Sequence, residues 1–75
     1  MTEASPVREI EIRLNGQPRR VPEQSTLAAL LLSLGKDPRT VAVEKNGDIV
    51  RRAAFEETLL ERDDVLELVQ FVQGG

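Results

Sequence analysis

Residues 26–38, "TLAALLLSLGKDP", read as one short helix with its own start and stop. Leu27, Leu30, Leu31 and Leu34 recur at the i, i+3, i+4, i+7 spacing that lines a single helical face. Ser25 or Thr26 supplies a hydroxyl for the free N–H groups of the first turn. Gly35 can take the left-handed conformation that closes a helix, and the Asp37-Pro38 step prevents its continuation. One leucine stripe needs a flat apolar partner, and the sequence on both sides is written in strands.

Upstream, residues 7–16, "VREIEIRLNG", place Ile10, Ile12 and Leu14 on one face of a strand and Glu9, Glu11 and Arg13 on the other. Asn15-Gly16 is the positive-φ pair of a tight hairpin turn. The return, "QPRRVP" at 17–22, contains two prolines that cannot donate to a ladder, so as a strand it lies at a sheet edge or is short, and it pairs only with the first strand. Downstream, residues 41–50, "VAVEKNGDIV", repeat this grammar: Val41 and Val43 alternate with Ala42 and Glu44, Asn46-Gly47 turns, and Ile49-Val50 returns.

A longer connection follows at 51–64, where Phe55, Leu59 and Leu60 are expected to pin the chain to the core through a turn of 3₁₀ helix. Its carboxylate pairs, Glu56-Glu57 and Asp63-Asp64, read as solvated loop charges. The last strand, "VLELVQFV" at 65–72, is apolar on both faces. Glu67 shares a face with Val65, Val69 and Phe71, and an unpaired carboxylate is costly to bury, so Leu66 and Leu68 are assigned to the core and the other face to solvent. An apolar strip left outside on so small a domain marks a partner surface, with Ala42 of a neighbouring strand as a further member, unless the N-terminal segment covers it. The order β-β-α-β-β-β predicts an α+β fold with a mixed four- to five-stranded sheet and one main helix packed across it.

Composition narrows the function. The chain has 75 residues, no Cys, no His and a formal net charge of −3. Without His or Cys the commonest general base and nucleophiles are missing, so catalysis by this chain is not expected. Its arginines are interleaved with acids, and two Phe with no Trp or Tyr offer little for base stacking, which argues against nucleic acid. No membrane, no metal and no bound cofactor is expected, and the lack of a long apolar run or a leader favours the cytoplasm. The expected organisation is a flexible N-terminal segment at 1–6, a domain at 7–72, and a flexible Gly-Gly tail at 73–75.

The motifs "IRLNG" (12–16), "TLAALLLSLG" (26–35), "VAVEKNGDIVRR" (41–52) and "LLERDDVLELVQFVQGG" (59–75), in this order, resemble the ThiS-type sulfur carrier proteins of thiamine biosynthesis, members of the ubiquitin-like β-grasp family. Departures from the family pattern are Arg62-Asp63-Asp64 in place of Asp-Gly-Asp, Arg51 where proline is common, Phe55 where Trp is frequent, and Gln73 in place of a third glycine. Asp63 must then take a turn conformation that the family gives to glycine, and Asp tolerates it better than most residues.

The resemblance implies that Gly75 carries the chemistry. Its carboxylate would be adenylated by an ATP-dependent activating enzyme of ThiF type, converted to a thiocarboxylate with sulfur from a donor, and used by a thiazole synthase of ThiG type. ATP would be used by that enzyme and not bound here. Gly75 has no Cβ to hinder attack at its carbonyl, and Gly74 lets the backbone thread a narrow channel. Gln73 and Gly74 form the tail, and Val69, Phe71 and Ala42 are the expected partner-binding residues. The nearest alternatives are the molybdopterin-synthase small subunit, a carrier for another sulfur pathway, and a ubiquitin-like protein modifier.

Overall fold

A computed structural model describes residues 8–71. The segment 1–6 and the tail residues Gln73, Gly74 and Gly75 lie outside the described residues, so the boundaries expected at 7 and 72 are not tested. The elements are β1 (Glu9–Leu14), β2 (Gln17–Pro22), α1 (Leu27–Ser33), β3 (Val41–Lys45), β4 (Asp48–Val50) and β5 (Val65–Gln70), with 3₁₀ turns at Pro38–Thr40 and Arg52–Ala54. The five strands form one sheet in the order β2-β1-β5-β3-β4. β5 runs parallel to β1 and antiparallel to β3, so the last strand lies in the middle of a mixed sheet.

Both Asn-Gly pairs turn as the sequence predicts, with Asn15, Gly16, Asn46 and Gly47 all at positive φ. The tight turns fix the register: Ile10 faces Val21 across one hairpin and Val43 faces Val50 across the other. Ile10, Ile12, Val21, Val41 and Val43 are thereby buried. The proline-bearing β2 lies at the edge and pairs only with β1.

The helix is capped by Thr26, whose Oγ1 accepts the Ala29 N–H at 3.0 Å. Gly35 closes it at φ +70, and Lys36 N–H reaches the Leu31 carbonyl at 2.9 Å. Leu27, Leu30 and Leu31 are buried against the sheet, Leu34 packs partly on the same core, and Leu32 points to solvent. A further 3₁₀ turn at Pro38–Thr40, which the sequence reading did not anticipate, is capped by Asp37 Oδ1 accepting the Arg39 N–H at 2.9 Å.

Two expectations for the 51–64 connection are corrected. Phe55 and Leu60 are buried, but Leu59 is 51% exposed and pins nothing. Its backbone bridges Thr26, and Leu60 N–H donates to the Ser25 carbonyl at 2.9 Å. Extended backbone alternates its side chains, so of Leu59 and Leu60 only one faces inward. Asp64 is not a solvated charge: it is 6% exposed and accepts from Asn46 Nδ2 at 2.9 Å and from the Glu61 N–H at 2.8 Å, with Lys45 Nζ 3.7 Å away. Burial is tolerated because each carboxylate oxygen has a donor and a cation stands beside them. Glu56 and Glu57 are exposed as expected.

Asp63 sits at φ 71, confirming that it takes the turn position. A side chain at that φ carries a strain of roughly 1–2 kcal/mol, partly offset because glycine loses more entropy on folding. Asp63→Gly is therefore expected to raise the unfolding free energy by about 0.5–1 kcal/mol. Chemical denaturation checks this, and an unchanged or lower midpoint would show that the turn is relaxed with Asp in place.

Candidate functional site

The outer face of β5 is apolar as the sequence predicts: Val65, Val69 and Phe71 are 43%, 60% and 51% exposed, while Leu66 is fully buried and Leu68 partly so. Ala42 lies directly opposite Val69 across the β3–β5 ladder and is half-buried. The structure therefore brings Val69 and Ala42 together, with Phe71 at the end of the same row, where its N–H donates to the Thr40 carbonyl at 2.8 Å.

Ile49 also belongs to this face and was missed. It pairs with Glu44 in β4 and is 67% exposed. The signal was available: a two-residue Asn-Gly turn places Ile49 opposite Glu44, the solvent-facing residue of β3, and Val50 opposite the buried Val43. Between the apolar groups, Glu44 faces Glu67 directly, a like-charge pairing that does not favour folding.

The end of β5 is held from several sides. Lys36 Nζ donates to Gln70 Oε1 at 3.0 Å. The 3₁₀ turn that receives Phe71 is braced by Arg39, whose Nε and Nη2 reach the Asp37 carboxylate at 3.2 and 3.0 Å. Side-chain hydrogen bonds from Arg39 hold the Asp37 carboxyl below its ordinary range, and the same bond raises the Arg39 guanidinium. A depressed carboxyl contributes stability above its unfolded value and loses it as pH falls through the folded one, so this brace weakens only in acid.

The turn asparagines do more than adopt positive φ. Asn15 Oδ1 accepts the Leu68 N–H at 2.8 Å, and Asn46 Oδ1 accepts the Val65 N–H at 2.9 Å. Each turn thus fastens one side of β5, a role that residue type alone does not reveal.

Surface hollows among the described residues include one of about 270 Å³ beside Ile10, Leu59 and Leu60 and another of about 320 Å³ beside Ala28, Arg52 and Phe55. Neither is lined by a β5 residue. Among the described residues no helix is long and apolar enough to cross a membrane. Gln73, Gly74 and Gly75, the expected reactive tail, lie outside the described residues.

The chain is 41% identical over 66 residues to a thiazole synthase of Magnetococcus marinus and 38% identical over 66 residues to one of Paramagnetospirillum magneticum, matching 88% of this chain in each case. It spans only about 20% of the length of those two relatives. The crystal structure of the thiamine biosynthesis protein ThiS from Geobacter metallireducens superposes with a TM-score of 0.76 at 32% identity, over 88% of this chain and 100% of that one. The ThiS family model matches residues 12–75, which takes in the second half of β1, β2, the helix, the second hairpin, the central β5 and the glycines that follow it. The chain belongs to the ThiS family and has its β-grasp fold.

Proposed function

We propose that this chain is a sulfur carrier for thiazole formation in thiamine biosynthesis and that the carboxylate of Gly75 is its reactive group. The observation that carries this reading is the family match running through Gly75, which follows the central strand β5 by five positions in the sequence. A carboxylate oxygen is a poor leaving group. Attack of the Gly75 carboxylate on the α-phosphorus of ATP, with loss of pyrophosphate, makes an acyl-adenylate. Hydrosulfide released by the donor then adds at the carbonyl carbon, AMP departs with the C–O bond it held, and loss of the S–H proton leaves a thiocarboxylate. The protein acts as a co-substrate, and the ATP chemistry belongs to an activating enzyme of ThiF type.

The acceptor enzyme is a thiazole synthase. Support comes from relatives of that name that contain a segment like this chain within a longer polypeptide. The thiocarboxylated chain, supplied to a thiazole synthase with its other substrates, is expected to give thiazole product in proportion to the sulfur loaded. Transfer of the tail to lysine side chains instead would replace this reading with that of a protein modifier.

Val69, Phe71 and Ala42, joined by Ile49, form the face that docks on the activating enzyme or the thiazole synthase. Phe71 is already half in solvent, so its loss costs folding little and binding more. Phe71→Ser is expected to weaken binding by about 1–2 kcal/mol, roughly five- to thirtyfold, while the domain still folds and its melting temperature falls by only a few degrees. Unchanged affinity in a calorimetric titration removes Phe71 from the interface.

A further inference from the structure

Backbone groups of β5 alternate between its two neighbours. The bonds from Asn46 N–H to the Val65 carbonyl at 2.7 Å and from Phe71 N–H to the Thr40 carbonyl at 2.8 Å assign the odd-numbered residues to β3. Leu66, Leu68 and Gln70 therefore face β1. β1 pairs only over Arg13↔Val65 and Leu14↔Leu66, because the chain turns away at Asn15-Gly16. Asn15 adds one more rung on each side of the turn, its N–H donating to the Leu66 carbonyl at 2.9 Å and its Oδ1 accepting from Leu68. Past that point the Leu68 carbonyl and both backbone groups of Gln70 face the side that β1 has left, and among the described residues none of them has a backbone partner there.

Natural sheets blunt their open edges with prolines, charges or very short strands. This chain does so at both outer edges: β2 carries Pro18, Arg19, Arg20 and Pro22, and β4 is three residues long and begins with Asp48. The inner half-edge has no such protection, since "LVQFV" at 68–72 contains neither a charge nor a proline. From Gln70 to Gly75 the chain spans at most about 18 Å, so an enzyme that closes on the Gly75 carboxylate reaches this edge.

We infer that the open edge of β5, from the Leu68 carbonyl through Gln70, takes an extended strand of the activating enzyme, main chain to main chain. The inference rests on the carrier reading and adds to the apolar outer face a second, backbone-directed contact.

Gln70→Pro and Gln70→Ala test it against the activating enzyme with ATP. Both lose the bond to Lys36, but only proline removes the outward N–H, at an edge position where proline is tolerated. The proline variant is expected to bind at least about tenfold more weakly and the alanine variant within about twofold of the parent, tenfold being about 1.4 kcal/mol. Equal affinities for the two variants overturn the inference. If the proline variant melts early, a synthetic full-length chain N-methylated at the Gln70 amide replaces it, with the same expectation. Exchange of the Gln70 amide should be fast in the free chain and slowed by the enzyme. Concentration-dependent dimerisation that protects this amide without the enzyme would assign the edge to a second copy and overturn the inference. If the parent does not bind the enzyme at all, the carrier reading falls with it; normal sulfur loading with equal variant affinities removes the edge strand alone.

Discussion

Leu66→Ala is expected to leave most of the domain unfolded at physiological temperature. Leu66 is fully buried in the central strand, in one core cluster with Ile12, Leu31, Val43 and Phe55. Truncating a buried leucine costs about 2–5 kcal/mol, the transfer of the lost methyl groups plus the cavity left where the surroundings cannot collapse. A domain of this size without disulfide or metal has only about 3–5 kcal/mol in hand. The substitution therefore consumes most or all of the stability, and β5 is the strand that joins the two hairpins of the sheet. Loss of the cooperative thermal transition by circular dichroism is the expected result. A variant melting within a few degrees of the parent would mean that the core repacks around the gap.

Removal of Gly75 is expected to act in the opposite way, abolishing activation while leaving the fold intact. Every core side chain and ladder bond described above falls between residues 8 and 71, so the melting transition should not move. The reacting carboxylate, however, is withdrawn by about 3.5 Å, one residue of extended chain. A displacement of about an ångström at a reacting centre can cost a hundredfold in rate, so adenylation should fall by more than about a hundredfold. Adding one alanine after Gly75 should be equally damaging. Pyrophosphate release by the activating enzyme measures both; a shortened chain that still supports it at the parent rate would place the reactive carboxylate elsewhere.

Much of the architecture was legible because it is encoded locally. Alternation in 9–14 and 41–43, the two Asn-Gly turns and the leucine spacing of 27–34 each involve residues a few positions apart, and all of them recur in the structure. The outward face of β5 was also legible, since Glu67 fixed which side could not be buried. The features that escaped notice depend on distant register. Asp64 is buried because Lys45 and Asn46, on another hairpin, arrive beside it. Asn15 meets Leu68 across 53 positions of chain, and no local pattern marks that contact. Leu59 looked like core by residue type, but its backbone pairing with Thr26 turned the inward place over to Leu60. Ile49 joined the outer face through the same arithmetic of register.

The tail follows the same logic at the level of function. A central strand is gripped by β3 on one side and by β1 and Asn15 on the other up to the last described residues before the glycines, and on the carrier reading the apolar outer face beside it is what a partner holds. Both are built from residues whose positions the sheet determines.

The most direct test of the carrier reading is the intact mass of the chain after incubation with the activating enzyme, ATP and a sulfur donor. The predicted result is a rise equal to the replacement of one oxygen by one sulfur, localised to Gly75 by fragmentation and absent without ATP. An unchanged mass, or sulfur found at any other residue, would contradict it.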